Sequence, residues 1–264
     1  MKTTKTSLIQ RQQCKPGSGG LKTALLIGLL VLAMESFAQN AIPAGTILPL
    51  QLNSSLSSKK SRPGEVVTAR LMQDVPLPSG SKIHAGAKAV GHIVDVVAAN
   101  DGSGAELSLQ FDTLEVSKRK IPMTTNLRAL ASMTEVADAQ LPDANFDRVT
   151  SESEWTTVQV GGDVVYRGDG PVTNGRYTVG TPVANGVLVR VAAKPNSKCH
   201  GDLTGADRPQ ALWVFSADAC GTYGLGNVSI AHAGRSQPVG QITLVSESGN
   251  FGLRSGSGLL LRVQ

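Results

Sequence analysis

From residue 41 onward the apolar residues fall in short runs that alternate with polar ones, each run closed by turn formers. Glu106 to Val116 alternates cleanly, the period-two signature of a half-buried strand. Thr46 to Leu52 reads as a strand whose Pro49 pushes it to a sheet edge or a bulge. Pro63-Gly64 turns the chain into a strand over Glu65 to Met72, and Pro78 to Gly80 turns it again. Ala87 to Val97 is strongly β-prone, with Gly91 marking a bulge. Asn100 to Gly104 makes a hairpin loop, Lys118 to Lys120 a further turn, and Ile121 to Leu130 closes the set. Strands about ten residues apart predict a small sandwich or barrel.

Residues 134–154 break this rhythm: they are polar and acidic, include Pro142 and hold no sustained period. They read as a linker or surface loop, with the domain boundary inside it. Beyond them strands return. Gly161-Gly162 sits in a compact hairpin between Val158 to Val160 and Asp163 to Tyr166. Val187 to Ala192, Ala211 to Phe215, Asn227 to His232, Gly240 to Val245 and Leu259 to Val263 follow. The fold class expected is therefore all-β, as two small β-sandwich or barrel-like domains, 39–133 and 155–264.

The first 38 residues are of another kind. The apolar run Ala24 to Met34 follows Lys22 and spans eleven residues, against the roughly 20 that a membrane-crossing helix needs. Ser36 and Ala38 put small residues at the −3 and −1 positions of a signal peptidase site, with cleavage between Ala38 and Gln39. Residues 1–38 thus read as a signal peptide, which implies an exported chain, periplasmic or extracellular, with no stable membrane span once mature. Charge supports this division. The whole chain has a net charge of +5, but the leader holds five of the 25 basic residues and one of the 20 acidic ones, so the remainder is near neutral. A near-neutral surface carries no footprint for phosphate backbones, which excludes nucleic acid as a partner.

Cys14 leaves with the leader, so Cys199 and Cys220 remain. A pair in an oxidising compartment reads as a disulfide across a turn-rich loop. Two alternatives stay open: zinc held by Cys199, His200, Cys220 and His232, for which the usual metal-ligand spacings are missing, and a catalytic thiol.

The segment from Ile42 to Pro122 resembles the β-barrel domain of the VirB10/TrbI family of secretion-channel proteins. The resemblance rests on Ile42-Pro-Ala-Gly-Thr46, Leu56-Ser-Ser58, Pro63-Gly64, Val67-Thr-Ala-Arg-Leu71, Asp74-Val75, Ile83-His-Ala-Gly-Ala87, Gly91 and Ile121-Pro122. It implies a shared barrel-like module; the family's inner-membrane helix, proline-rich arm and pore-forming helices have no counterpart in this sequence. Within the segment the I-x-A-G step occurs twice, at Ile42 and Ile83, which predicts one tight turn used twice.

No nucleophile elbow, dinucleotide fingerprint or P-loop is present, so no catalytic, cofactor or metal residue is assigned. Among the aromatic residues Trp213 and Phe215 share one face of an expected strand; in a chain this poor in aromatics they read more readily as core, and otherwise as the candidate recognition surface, with Trp155, Tyr166 and Tyr223 as neighbours. The function expected is a non-enzymatic one, binding or structural, toward an envelope, cell-wall or extracellular component. The alternatives are a secreted hydrolase of polysaccharide or peptide, and an accessory of a secretion or surface assembly.

Overall fold

The structure, a computed structural model, describes residues 41–142, 155–168, 170–194, 199, 207–235 and 238–264. The expected signal peptide and its Ala38–Gln39 cleavage point lie outside them. The protein is 47% strand and 3% helix, which fixes the all-β class. The first half contributes β1 (Ile47–Leu52), β2 (Leu56–Ser57), β3 (Val66–Leu71), β4 (Val75–Pro76), β5 (Lys82–Ile83) and β6 (Lys88–Val97). It continues with β7 (Glu106–Val116), β8 (Arg119–Pro122), β9 (Thr125–Ala131) and one short helix, α1 (Met133–Asp138). Then come β10 (Thr156–Val158), β11 (Val164–Tyr166), β12 (Val172–Asn174), β13 (Tyr177–Val183), β14 (Gly186–Val189) and β15 (Gln210–Ala211). The last five are β16 (Gly221–Tyr223), β17 (Val228–Ile230), β18 (Ile242–Ser246), β19 (Gly252–Leu253) and β20 (Gly258–Val263).

A ten-stranded sheet runs in the order β16-β9-β20-β1-β3-β6-β7-β18-β17, with β8 also paired to β7. A second sheet of six strands runs from β10 to β15 in chain order, and β2–β19 and β4–β5 form two short ribbons. None of the sheets closes into a barrel. At the two ends of the large sheet the Thr222 hydroxyl donates to the Val228 carbonyl at 2.7 Å, but no ladder joins β16 to β17 among the described residues.

The expected pair of domains, 39–133 and 155–264, is replaced by one compact unit over Ala41–Gln264. The last strand, β20, lies between β1 and β9, and β18 pairs with β7. The reason is visible in the burial of β1, β9 and β20, which are covered on both faces. Leu48, Leu50, Leu52, Leu259 and Leu261 face the core enclosed by the large sheet. Ile47, Ala129, Ala131 and Leu260 face the other way, against Val160, Val165, Val172, Val187, Val189 and Phe215 around the six-stranded sheet. Strands apolar on both faces need two covers, and the second sheet supplies one of them. Segment 134–154 is therefore no boundary between two cores. Its start is α1, capped by the Ser132 hydroxyl, which accepts from the Glu135 amide at 3.2 Å, and 143–154 lie outside the described residues.

Local expectations fare better. The β6–β7 register shifts at Gly91, where a Cβ would sit 1.9 Å from the Gln110 carbonyl oxygen. The repeated step is one turn used twice: Thr46 N–H donates to the Pro43 carbonyl and Ala87 N–H to the His84 carbonyl, with Gly45 and Gly86 at φ +82° and +90°. Pro49 is not at a free edge, since β1 pairs with both β20 and β3. Amides alternate in direction along a strand. Ile47 N–H meets the Gln210 side chain and Leu52 N–H meets Ser257, so the Pro49 nitrogen faces the side where the β3 ladder only begins, at Leu50. A bulge on β9 makes Arg128 the extra residue opposite Leu260 and Leu261. Its guanidinium is re-aimed into the protein, where it is 2% exposed.

Candidate functional site

A groove of about 670 Å³ opens where the end of β3 meets the loops of the six-stranded sheet, within the range typical of ligand sites. Arg70, Leu71, Met72 and the Ala85-Gly86 turn line one side; Gln140 follows α1; Trp155, Arg167, Asn185, Gly186, Trp213 and Val214 complete it.

Gln73, one residue further along the chain from Met72, locks this arrangement. It is 0% exposed. Its Oε1 accepts from the Trp213 N–H at 2.7 Å and the Val187 N–H at 3.2 Å, while Nε2 donates to the Val187 carbonyl at 2.8 Å. A polar side chain from the first half of the chain thus satisfies backbone groups in the second. Trp213 is held at φ +52°, a region disfavoured for bulky residues. Gly186 is required beside it, because a Cβ there would lie 2.3 Å from Gln73 Oε1 and 2.7 Å from Trp213 Cα.

The β10–β11 hairpin places the other wall. Thr156 pairs with Tyr166, and one step outward the Trp155 carbonyl accepts from the Arg167 N–H at 2.9 Å. The indole and the guanidinium therefore start from adjacent backbone positions. Arg167 is partly buried, which pushes its pKa below the ordinary arginine value through loss of hydration. No Asp or Glu is among the lining residues, and among the described residues no carboxylate pairs with Arg167 or Arg70.

Trp213 and Phe215 are core residues, the reading preferred for them, and the alternative of a recognition surface does not hold. Trp213 is 2% exposed and Phe215 is 0% exposed. The strand expected over Ala211 to Phe215 ends at Ala211, and the chain turns, with Phe215 N–H donating to the Leu212 carbonyl. Both rings are needed in the core against β20, and only Trp213 also contributes to the groove. Trp155, half-buried at the groove, takes the place that alternative gave them. Sequence could have found it: an antiparallel hairpin centred on Gly161 sets position 155 opposite 167. Arg70, Gln140 and Asn185 had no such signal, because only long-range packing brings them there.

Cys199 and Cys220 form the expected disulfide, with Cα atoms 5.6 Å apart. Both thiolates are thereby consumed, which removes the zinc and catalytic-thiol alternatives. His84 lies 3.5 Å from Asp74 on the surface, and His92 Nδ1 is 3.2 Å from Asp112 Oδ2 across β6 and β7. His200 lies outside the described residues.

Two carboxylates do converge. The Asn174 amide nitrogen donates to Asp163 Oδ1 at 2.9 Å and to Asp218 Oδ2 at 2.8 Å. Asp163 Oδ2 also accepts from the Ala217 N–H at 2.6 Å. Burial raises the Asp163 pKa, opposed by the Ala217 and Asn174 hydrogen bonds and aided by Asp218. Asp163 is 0% exposed, and neither residue lines the groove. Bridged by Asn174, with Asp163 buried, the pair acts as a staple between loops. Arg128 staples the same loops: Nε donates to the Ala219 carbonyl, and Nη2 to those of Ala192 and Ala217, at 2.9–3.1 Å. Burial brings its pKa down to about 10, so it stays charged at neutral pH.

Among the described residues no helix is long and apolar enough to cross a membrane. No family model matches the chain, and neither a curated protein nor a solved structure is found to be similar to it.

Proposed function

We propose that this is an exported, non-enzymatic binding protein that takes a ligand from the envelope, cell wall or surroundings in the groove beside Trp155. The observation that carries this reading is the groove itself. It is preformed, because Gln73 fixes three backbone groups of its floor, and Trp155, Arg70, Arg167, Gln140 and Asn185 all line one open space. Nothing in it is arranged as a nucleophile with a base. The disulfide supports an oxidising compartment, and the leader-like first 38 residues support export. Binding to fractionated cell-wall and envelope polymers, compared between the intact protein and Trp155→Ala, tests the proposal. Equal retention of both proteins removes the groove from the function, and measured turnover of a polymer removes the non-enzymatic assignment.

A second reading, an accessory of a secretion or surface assembly, rests on the likeness of residues 42–122 to the VirB10/TrbI barrel module. The paired turns at Ile42 and Ile83 favour it. Co-purification in an envelope complex is the outcome that sets it above the first.

A further inference from the structure

We infer that the groove selects an acidic polysaccharide, a chain of sugars bearing carboxylates, with Arg167 and Arg70 as the groups that read the charge. This deepens the binding function proposed above and rests on it.

The charge of the ligand follows from what the groove lacks. A guanidinium that has lost part of its hydration needs a compensating partner, and Arg167 has none among the described residues. Arg70 projects from β3 into the same groove, and among the described residues no acid shares the lining. Two guanidinium forks with no acid between them match carboxylates, each in a bidentate geometry. Because the chain without its first 38 residues is near neutral, this charge is a local feature and not part of a basic surface.

The frame carrying the charge follows from the rest of the lining. A peptide that binds by extending a sheet needs a free strand edge. The groove offers none along its floor. Leu71 N–H donates to Ala87, Met72 N–H to Pro49, and Gly86 N–H to Leu71. Trp213 N–H is taken by Gln73, and the Val214 carbonyl accepts from Val160. Recognition is left to side chains: the Trp155 ring, with an apolar face suited to the C–H face of a pyranose, and the Gln140 and Asn185 amides, which match hydroxyls in both donor and acceptor character.

The test is binding of the full protein to immobilised polygalacturonate and alginate. A neutral glucan, poly-glutamate and a polyphosphate are measured in parallel. Uronate polymers are expected to bind, and the neutral glucan at least tenfold more weakly. Arg70→Gln and Arg167→Gln are each expected to lower uronate affinity by about 10- to 100-fold, the range for losing a charge-assisted hydrogen bond. Arg167→Lys should recover part of it. Arg70 is exposed, so Arg70→Gln keeps the test valid if Arg167→Gln misfolds, and melting curves identify such a failure. Equal binding of uronate and neutral glucan, with loss in Trp155→Ala, overturns the charge assignment and leaves the groove as a binding site. Preference for poly-glutamate or polyphosphate overturns the sugar frame. No effect of either arginine on uronate binding overturns the inference, and no effect of Trp155→Ala on any ligand overturns the binding site itself.

Discussion

Replacing Gln73 by Leu keeps the size and apolar character of a core residue and deletes one amide. Two backbone groups lose their partner, the N–H of Trp213 and the N–H of Val187, while the Val187 carbonyl keeps the Leu212 N–H at 3.2 Å. A fully buried orphan costs about 1–3 kcal/mol. Trp213 and Gly186 border the groove, so water reaches part of the site, and the low end applies. Two groups at about 1 kcal/mol each give a loss of about 2 kcal/mol, against a total stability of order 5–15 kcal/mol. For a unit of this size that lowers the Tm by about 4–8 °C. Thermal melts followed by far-UV circular dichroism and tryptophan fluorescence measure it, and a drop below about 2 °C refutes the estimate. Gln73→Glu separates hydrogen bonding from packing. Protonated, the carboxyl accepts with one oxygen and donates to Val187 with the other, as the amide does. Burial raises its folded pKa above the ordinary value of about 4.3, so near wild-type stability is present below that value and is lost as pH rises through the folded pKa. Equal destabilisation of Gln73→Glu at acid and neutral pH means that the amide acts through packing alone.

The raised pKa of Asp163 has the same sign. Its contribution is fully present below the unfolded value of 3.8 and is lost as pH rises through the folded pKa. The stability of wild type relative to Asp163→Asn therefore falls with rising pH above that point, which urea midpoints at several pH values report; a difference that grows with pH contradicts the burial. Reducing the Cys199–Cys220 bond, which spans 21 residues, is expected to cost about 3 kcal/mol, and an unchanged denaturation midpoint with two titratable thiols assigns the bond no role in stability. Gly91→Ala forces a Cβ onto the Gln110 carbonyl and should cost about 2–3 kcal/mol through separation of β6 from β7; a variant as stable as wild type shows that the ladder relaxes there.

Much of the local structure was legible because it rests on interactions between near neighbours. The alternation in β7, the bulge at Gly91, the repeated turn at Ile42 and Ile83, the hairpin at Gly161 and the disulfide each follow from residue chemistry within a short span or from the count of cysteines. The division into domains was not legible. Residues Leu259–Leu261 read equally well as the last strand of a separate domain or as a central strand of a shared sheet. A run of apolar residues states that both faces are covered, and does not say by which strands. The burial of Trp213 and Phe215 was expected from the scarcity of aromatics, but its cause was not legible for the same reason. Trp213 and Phe215 were paired by their spacing on a presumed strand, while Gln73, more than a hundred residues away, fixes Trp213 in a left-handed turn and in the core. Sequence alone determined the class of structure, its turns and the cysteine pair. The tertiary structure decided which strands share a sheet, which aromatic side chain reaches the groove, and that two arginines line it with no acid among the described residues, because each of these depends on pairings that no local pattern encodes.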